Sequence, residues 1–116
     1  MIENIPIQNY TQMEIKRNET QLVCIAKFIA KEGEVDQLIQ NLHALIPMTS
    51  QEGGCIRYEL NQCIDEPNRI TFIEKWYDQV TFDAHCNTPY IVEFFNDGKP
   101  HHVAEFEVTM HKELLP

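Results

Sequence analysis

Residues 55–77, CIRYELNQCI-DEPN-RITFIEKWY, constrain the fold more than any other stretch. Two alternating runs flank a cluster of turn-forming residues. In the first run Ile56, Tyr58 and Leu60 alternate with Arg57, Glu59 and Asn61, and successive side chains of a strand point to opposite faces. Asp65, Glu66, Pro67 and Asn68 supply the turn. In the second run Ile70, Phe72, Glu74 and Trp76 share one face. An antiparallel hairpin with one face toward a core is expected. Glu74 is the anomaly on that face, because burying a lone carboxylate is costly unless it is hydrogen-bonded, paired or protonated.

The remaining segments complete a pattern around the hairpin. Residues 20–31, TQLVCIAKFIAK, are dense enough in apolar side chains for a strand buried on both faces. After them Val35, Leu38, Ile39, Leu42, Leu45 and Ile46 form one apolar stripe at helical spacing. Glu32, Glu34 and Asp36 crowd the start of that helix, where its dipole favours acids. Pro47 predicts a kink or a short second helical piece, and Gly53-Gly54 a stop. Asp78 can cap a helix over QVTFDAHC. Thr88-Pro89 starts another over YIVEFF, which Asn96-Asp97-Gly98 ends. Residues 102–112 alternate again, with Ala104, Phe106, Val108 and Met110 on one side. The order β-α-β-β-α-β predicts an α+β, ferredoxin-like fold with two helices on one face of a four-stranded antiparallel sheet. Residues 20–116 read as one domain. Residues 1–19 read as a polar arm, with a short extended piece around Met13–Ile15. The apolar second face of the sheet predicts a homodimer packed sheet to sheet.

Charge narrows the partners. Eighteen acidic and nine basic side chains give a net charge of −9, which disfavours nucleic acid and anionic membranes. No run approaches the ~20 apolar residues that span a bilayer. The opening segment has no signal-peptide pattern, so a cytoplasmic location is expected. Cys24, Cys55, Cys63 and Cys86 form no C-x-x-C pair and read as reduced, mostly buried thiols. Nucleotide-binding, phosphate-binding and nucleophile-elbow motifs are absent. His101-His102 reads as a solvated loop pair rather than a metal site.

Chemistry then falls to residues 72–90. His85 lies on the helix expected to cover the Glu74 face. A Glu74–His85 contact would orient the imidazole and raise its basicity. The same pair also reads as a structural tie between helix and sheet, and the residues alone leave both readings open.

Three segments, in order, carry a family resemblance. EGGCIRYEL is similar to an E-x-G-C-x-x-Y-x-L segment, FIEKW to a strand ending E-x-W, and DAHCNTPY to A-H-x-x-T-P-H. Over residues 20–112 the chain resembles the antibiotic-biosynthesis monooxygenase family, including its quinol monooxygenase branch. The resemblance implies a ferredoxin-like fold, a dimeric α/β barrel made through the sheets, and a pocket between sheet and helices. It implies oxygenation of small phenols or hydroquinones by dioxygen without metal, flavin or other cofactor. Tyr90 stands where the family motif has its second histidine. On that reading His85 is the base and Glu74 its partner. Trp76, Tyr58, Phe82 and Phe94 wall the cavity, while Asn87 and Tyr90 hold a substrate oxygen. Two other classes stay open: an acid–base isomerase of a small metabolite, and a non-catalytic dimeric ligand-binding or stress protein. Strand 1 is apolar apart from Lys27 and lacks the paired asparagine of a haem-degrading relative.

Overall fold

The computed structural model describes residues 14–96 and 102–116. Tyr10, Met13, Asp97, Gly98 and His101 lie outside them. The elements are β1 (Leu22–Ala30), α1 (Val35–His43), α2 (Ile46–Thr49), β2 (Cys55–Gln62), β3 (Arg69–Trp76), α3 (Gln79–Cys86), α4 (Pro89–Asn96) and β4 (Val103–His111). The strands form one sheet in the order β2-β3-β1-β4, with every neighbouring pair antiparallel. This is the ferredoxin-like β-α-β-β-α-β fold. Pro47 does open a separate short helix, since α2 carries its proline in the first turn. Among the described residues no helix is long and apolar enough to cross a membrane.

The pairing register arranges the helix-facing side chains in rows across the sheet. One row runs Tyr58, Glu74, Cys24, Met110, and the next Leu60, Phe72, Ala26, Val108. The central strand therefore contributes two small side chains, Cys24 and Ala26, where its neighbours contribute large ones. Helices pack against the large residues, and the space over the small ones stays unfilled. Leu38, Leu42, Leu45 and Ile91 seal the core from above.

Three expectations need correction. Strand β1 is not buried on both faces: Cys24, Ala26, Phe28 and Ala30 are buried, but Val23, Ile25 and Ile29 are only half-buried. Both helical layers lie on one side of the sheet, so the reverse face has no cover among the described residues. Ile56 does not join Tyr58 and Leu60, because the β2–β3 register shifts between Cys55 and Arg57. A bulge adds a residue to one strand and turns the side chain there away, and Ile56 is 49% exposed. The cysteines are all free, but only Cys24 is buried; Cys86 is exposed.

Two tight features hold α3 over the sheet. Asp78 accepts a hydrogen bond from the Thr81 backbone N–H, and the Thr81 hydroxyl bonds back to the Asp78 N–H, a reciprocal capping box. Gly54, in the turn before β2, lies directly beneath this cap. A Cβ on Gly54 would stand 2.1 Å from Thr81 Cβ. Gly54→Ala is therefore expected to push the turn and α3 apart and to cost about 1–3 kcal/mol. Urea unfolding checks it; an unchanged midpoint would mean that the cap and turn separate freely.

The segment before β1 is tied to the one after β4. Arg17 bridges Leu114, and Lys75 Nζ reaches Glu113 Oε1 at 2.8 Å. His102 is not merely solvated, as its Nδ1 lies 2.7 Å from Glu34 Oε1 at the start of α1.

Candidate active site

A cavity of about 380 Å³ opens between the sheet and the helices. Its floor is Cys24, Ala26, Phe28, Phe72 and Glu74, and α3 and α4 form its roof with Phe82, His85, Phe94 and others. The wall is almost entirely apolar. Glu74 and His85 are its buried polar exceptions, each 4% exposed.

His85 projects inward from the last turn of α3. Its ring lies against Trp76 with centroids 4.4 Å apart, and the Tyr58 ring meets it edge-on at 5.6 Å. Its Nδ1 is 2.9 Å from Glu52 Oε2. The expected Glu74–His85 contact is replaced by this one. Glu52 sits in the turn after α2, and the same oxygen also accepts the Tyr90 hydroxyl. A carboxylate at Nδ1 favours the tautomer with the proton there, leaving Nε2 unprotonated. No hydrogen bond to Nε2 is made by the described residues.

Glu74 instead accepts the Trp76 indole N–H at 2.9 Å. The two are strand neighbours on one face, so the partner lies within the same strand. Burial pushes the Glu74 pKa from 4.5 up to about 7, against the opposing pull of the indole bond. Burial also raises the Tyr58 phenol and the Cys24 thiol, with the Glu74 charge adding to both.

The Glu74 shift has a consequence for stability. Between pH 4.5 and about 7 the folded carboxyl holds a proton that the unfolded one has lost. Its contribution is full below the unfolded pKa and is lost as pH rises through the folded value. At ~1.4 kcal/mol per unit the loss is on the order of 3 kcal/mol. Glu74→Gln should therefore gain on the wild type in unfolding free energy from about pH 4.5 to about pH 7, the window of that shift. Parallel curves for the two proteins would refute the shift.

Of the other residues expected at the site, Tyr58, Phe82 and Phe94 line the cavity. Trp76 does not line it; the indole is fully buried behind His85. Asn87 is turned away and donates to the Asp83 carbonyl as the last cap of α3. Tyr90 reaches Glu52 rather than the cavity wall. Sequence reasoning gave Glu52 no role, although it is the first residue of the EGGC segment. The Thr49 hydroxyl, fully buried nearby, has no hydrogen-bond partner among the described residues. No group of three or more His, Cys, Asp or Glu converges there as a metal ion would require.

Comparison with known proteins agrees with this architecture. The family model described as antibiotic biosynthesis monooxygenase matches residues 21–97. A protein of known structure from Shewanella oneidensis is 44% identical, with a TM-score of 0.85 over 89% of this chain and 100% of that one. One from Pseudomonas aeruginosa is 26% identical, with a TM-score of 0.77 over 84% of this chain and 97% of that one. The structure of an antibiotic biosynthesis monooxygenase is also 26% identical, with a TM-score of 0.71 over 82% of this chain and 99% of that one. No curated protein matches the chain. The family model covers well over half of the 116 residues, and the fold agrees with it: the chain belongs to the antibiotic biosynthesis monooxygenase family.

Proposed function

We propose that this protein is a cofactor-independent monooxygenase of a small quinol or phenol. The observation that carries the reading is a buried histidine in an apolar cavity, its Nδ1 held by Glu52 and its Nε2 left to a ligand. A phenolic hydroxyl gives its proton to Nε2, and the electron-rich anion reduces dioxygen far more readily than the neutral phenol does. An apolar site limits the access of water to the reactive intermediates. With a hydroquinone the reaction balances without an external reductant. One oxygen atom enters the ring, the other leaves as water, and the product is a hydroxyquinone. His85 is the base in this reading and Glu52 its positioning residue, in place of Glu74. Tyr58, Phe82 and Phe94 shape the cavity.

An oxygen electrode with a panel of hydroquinones tests the proposal. Enzyme-dependent oxygen uptake matched by hydroxyquinone formation is expected. No uptake above the rate of spontaneous oxidation across the panel would remove it.

The protein is also proposed to act as a homodimer. Val23, Ile25 and Ile29 of β1 lie beside Ile73 of β3 on the uncovered face, with Ile25 directly opposite Ile73. A stripe of this kind is stabilised by a second copy laid against it. Sedimentation should give about twice the chain mass of 13.6 kDa; a monomer at micromolar concentration would exclude this assembly.

A further inference from the structure

Glu74 is the polar group in the cavity that the His85–Glu52 pair leaves without a task. It lies on the floor beside Cys24, its cross-strand neighbour on β1, and opposite Tyr58 on β2. The groups that face it are Cys24, Tyr58, His85 and Cys86 of α3, and Glu52 in the turn before β2. The roof helix α4 brings only Ile91, Phe94 and Phe95 to the cavity, and β4 only Phe106 and Val108. Among the described residues no lysine or arginine lines the site. A buried carboxyl with no cation and a second carboxylate nearby is driven toward its neutral form. Burial accordingly raises it to about 7. Its Oε1 already accepts the indole N–H, and the Cys24 thiol also hydrogen-bonds the carboxyl; a proton on Oε2 makes that oxygen a hydrogen-bond donor in a floor whose other polar group is this thiol.

We propose that Glu74 is a ligand-binding residue whose carboxyl O–H donates to a second oxygen of the substrate, so that the site selects aromatics carrying two oxygens over simple phenols. This rests on the quinol reading above and narrows it. His85 takes the proton of one hydroxyl, and Glu74 holds the oxygen that becomes a carbonyl as the ring is oxidised. A monophenol fills the same apolar space but leaves the Glu74 donor unmatched, and an unpaired buried polar group discriminates strongly against such a ligand. Carboxylate-bearing aromatics are disfavoured, because Glu52 and the absence of any lining cation oppose a second negative charge.

The test compares hydroquinone with phenol, bound anaerobically and followed through quenching of Trp76, the only tryptophan. Wild type should bind hydroquinone about tenfold or more tightly than phenol at about pH 6, a range expected for a matched buried donor. The preference should shrink as pH rises through about 7. Glu74→Leu should abolish the preference while retaining phenol binding. Glu74→Gln, which keeps an N–H donor, should retain part of it and lose the pH dependence. If Glu74→Leu fails to fold, the wild-type pH series and the glutamine variant decide. An equal hydroquinone-to-phenol ratio in wild type and variants, with both ligands bound, overturns the assignment of Glu74 but leaves the quinol reading standing. Failure of wild type to bind either aromatic overturns both.

Discussion

His85→Asn should lower quinol turnover by about 10²–10⁴-fold, the range of a lost acid–base group, while the unfolding midpoint moves little. Asparagine can still donate an N–H to Glu52 from roughly the place of Nδ1, but it offers no basic nitrogen to the cavity. Glu52→Gln should lower turnover less, because a hydrogen bond to Nδ1 survives and only the charge that stabilises the imidazolium is lost. Single-turnover oxygen uptake at saturating quinol separates these effects from binding. Full turnover in His85→Asn would refute the proposed base and leave the Glu52–His85 contact as a tie between α3 and the turn after α2.

Trp76→Ala should cost about 3–5 kcal/mol, the usual loss for a fully buried aromatic. The indole is 0% exposed, lies against His85, and supplies the hydrogen bond to Glu74. Removing it opens a cavity behind His85 and takes the indole donor from a buried carboxyl. The drop in melting temperature should exceed about 10 °C for a domain of this size. Trp76→Phe refills most of the volume and should lose much less, yet it still removes the N–H. A small loss in Trp76→Ala would mean that the neighbouring rings collapse into the vacated space.

Alternation along β3 was enough to read from sequence that Ile70, Phe72, Glu74 and Trp76 face the helices, because a strand's period leaves no other choice. The cap at Asp78 and the helix start at Pro89 were equally legible, since each depends on a few adjacent residues, although the Thr88 hydroxyl donates back to the His85 carbonyl instead of capping α4. What could not be read was which carboxylate His85 would meet. Glu52 is 33 residues away from it, in a turn whose path depends on where α2 ends and on Gly54 passing beneath Thr81. Glu74 was on the right face, but its side chain bonds within its own strand. The bulge at Ile56 was hidden for a similar reason: it is a property of how β2 pairs with β3, and β2 alone alternates without interruption. On β4 the alternation placed Phe106, Val108 and Met110 on the helix-facing side, in register with β1, yet each remains more than 40% exposed. An edge strand's burial depends on how far the helices extend over it.

The Glu52 oxygen shared by His85 and Tyr90 joins three separate stretches of chain at a single atom. Helices α3 and α4 therefore cannot drift apart over the cavity without breaking a charge-assisted bond on one side or the other. A change at Glu52 therefore acts on α3 and α4 together rather than on either helix by itself. A single carboxylate thus fixes both the setting of the His85 ring and the spacing of the two helices above the cavity.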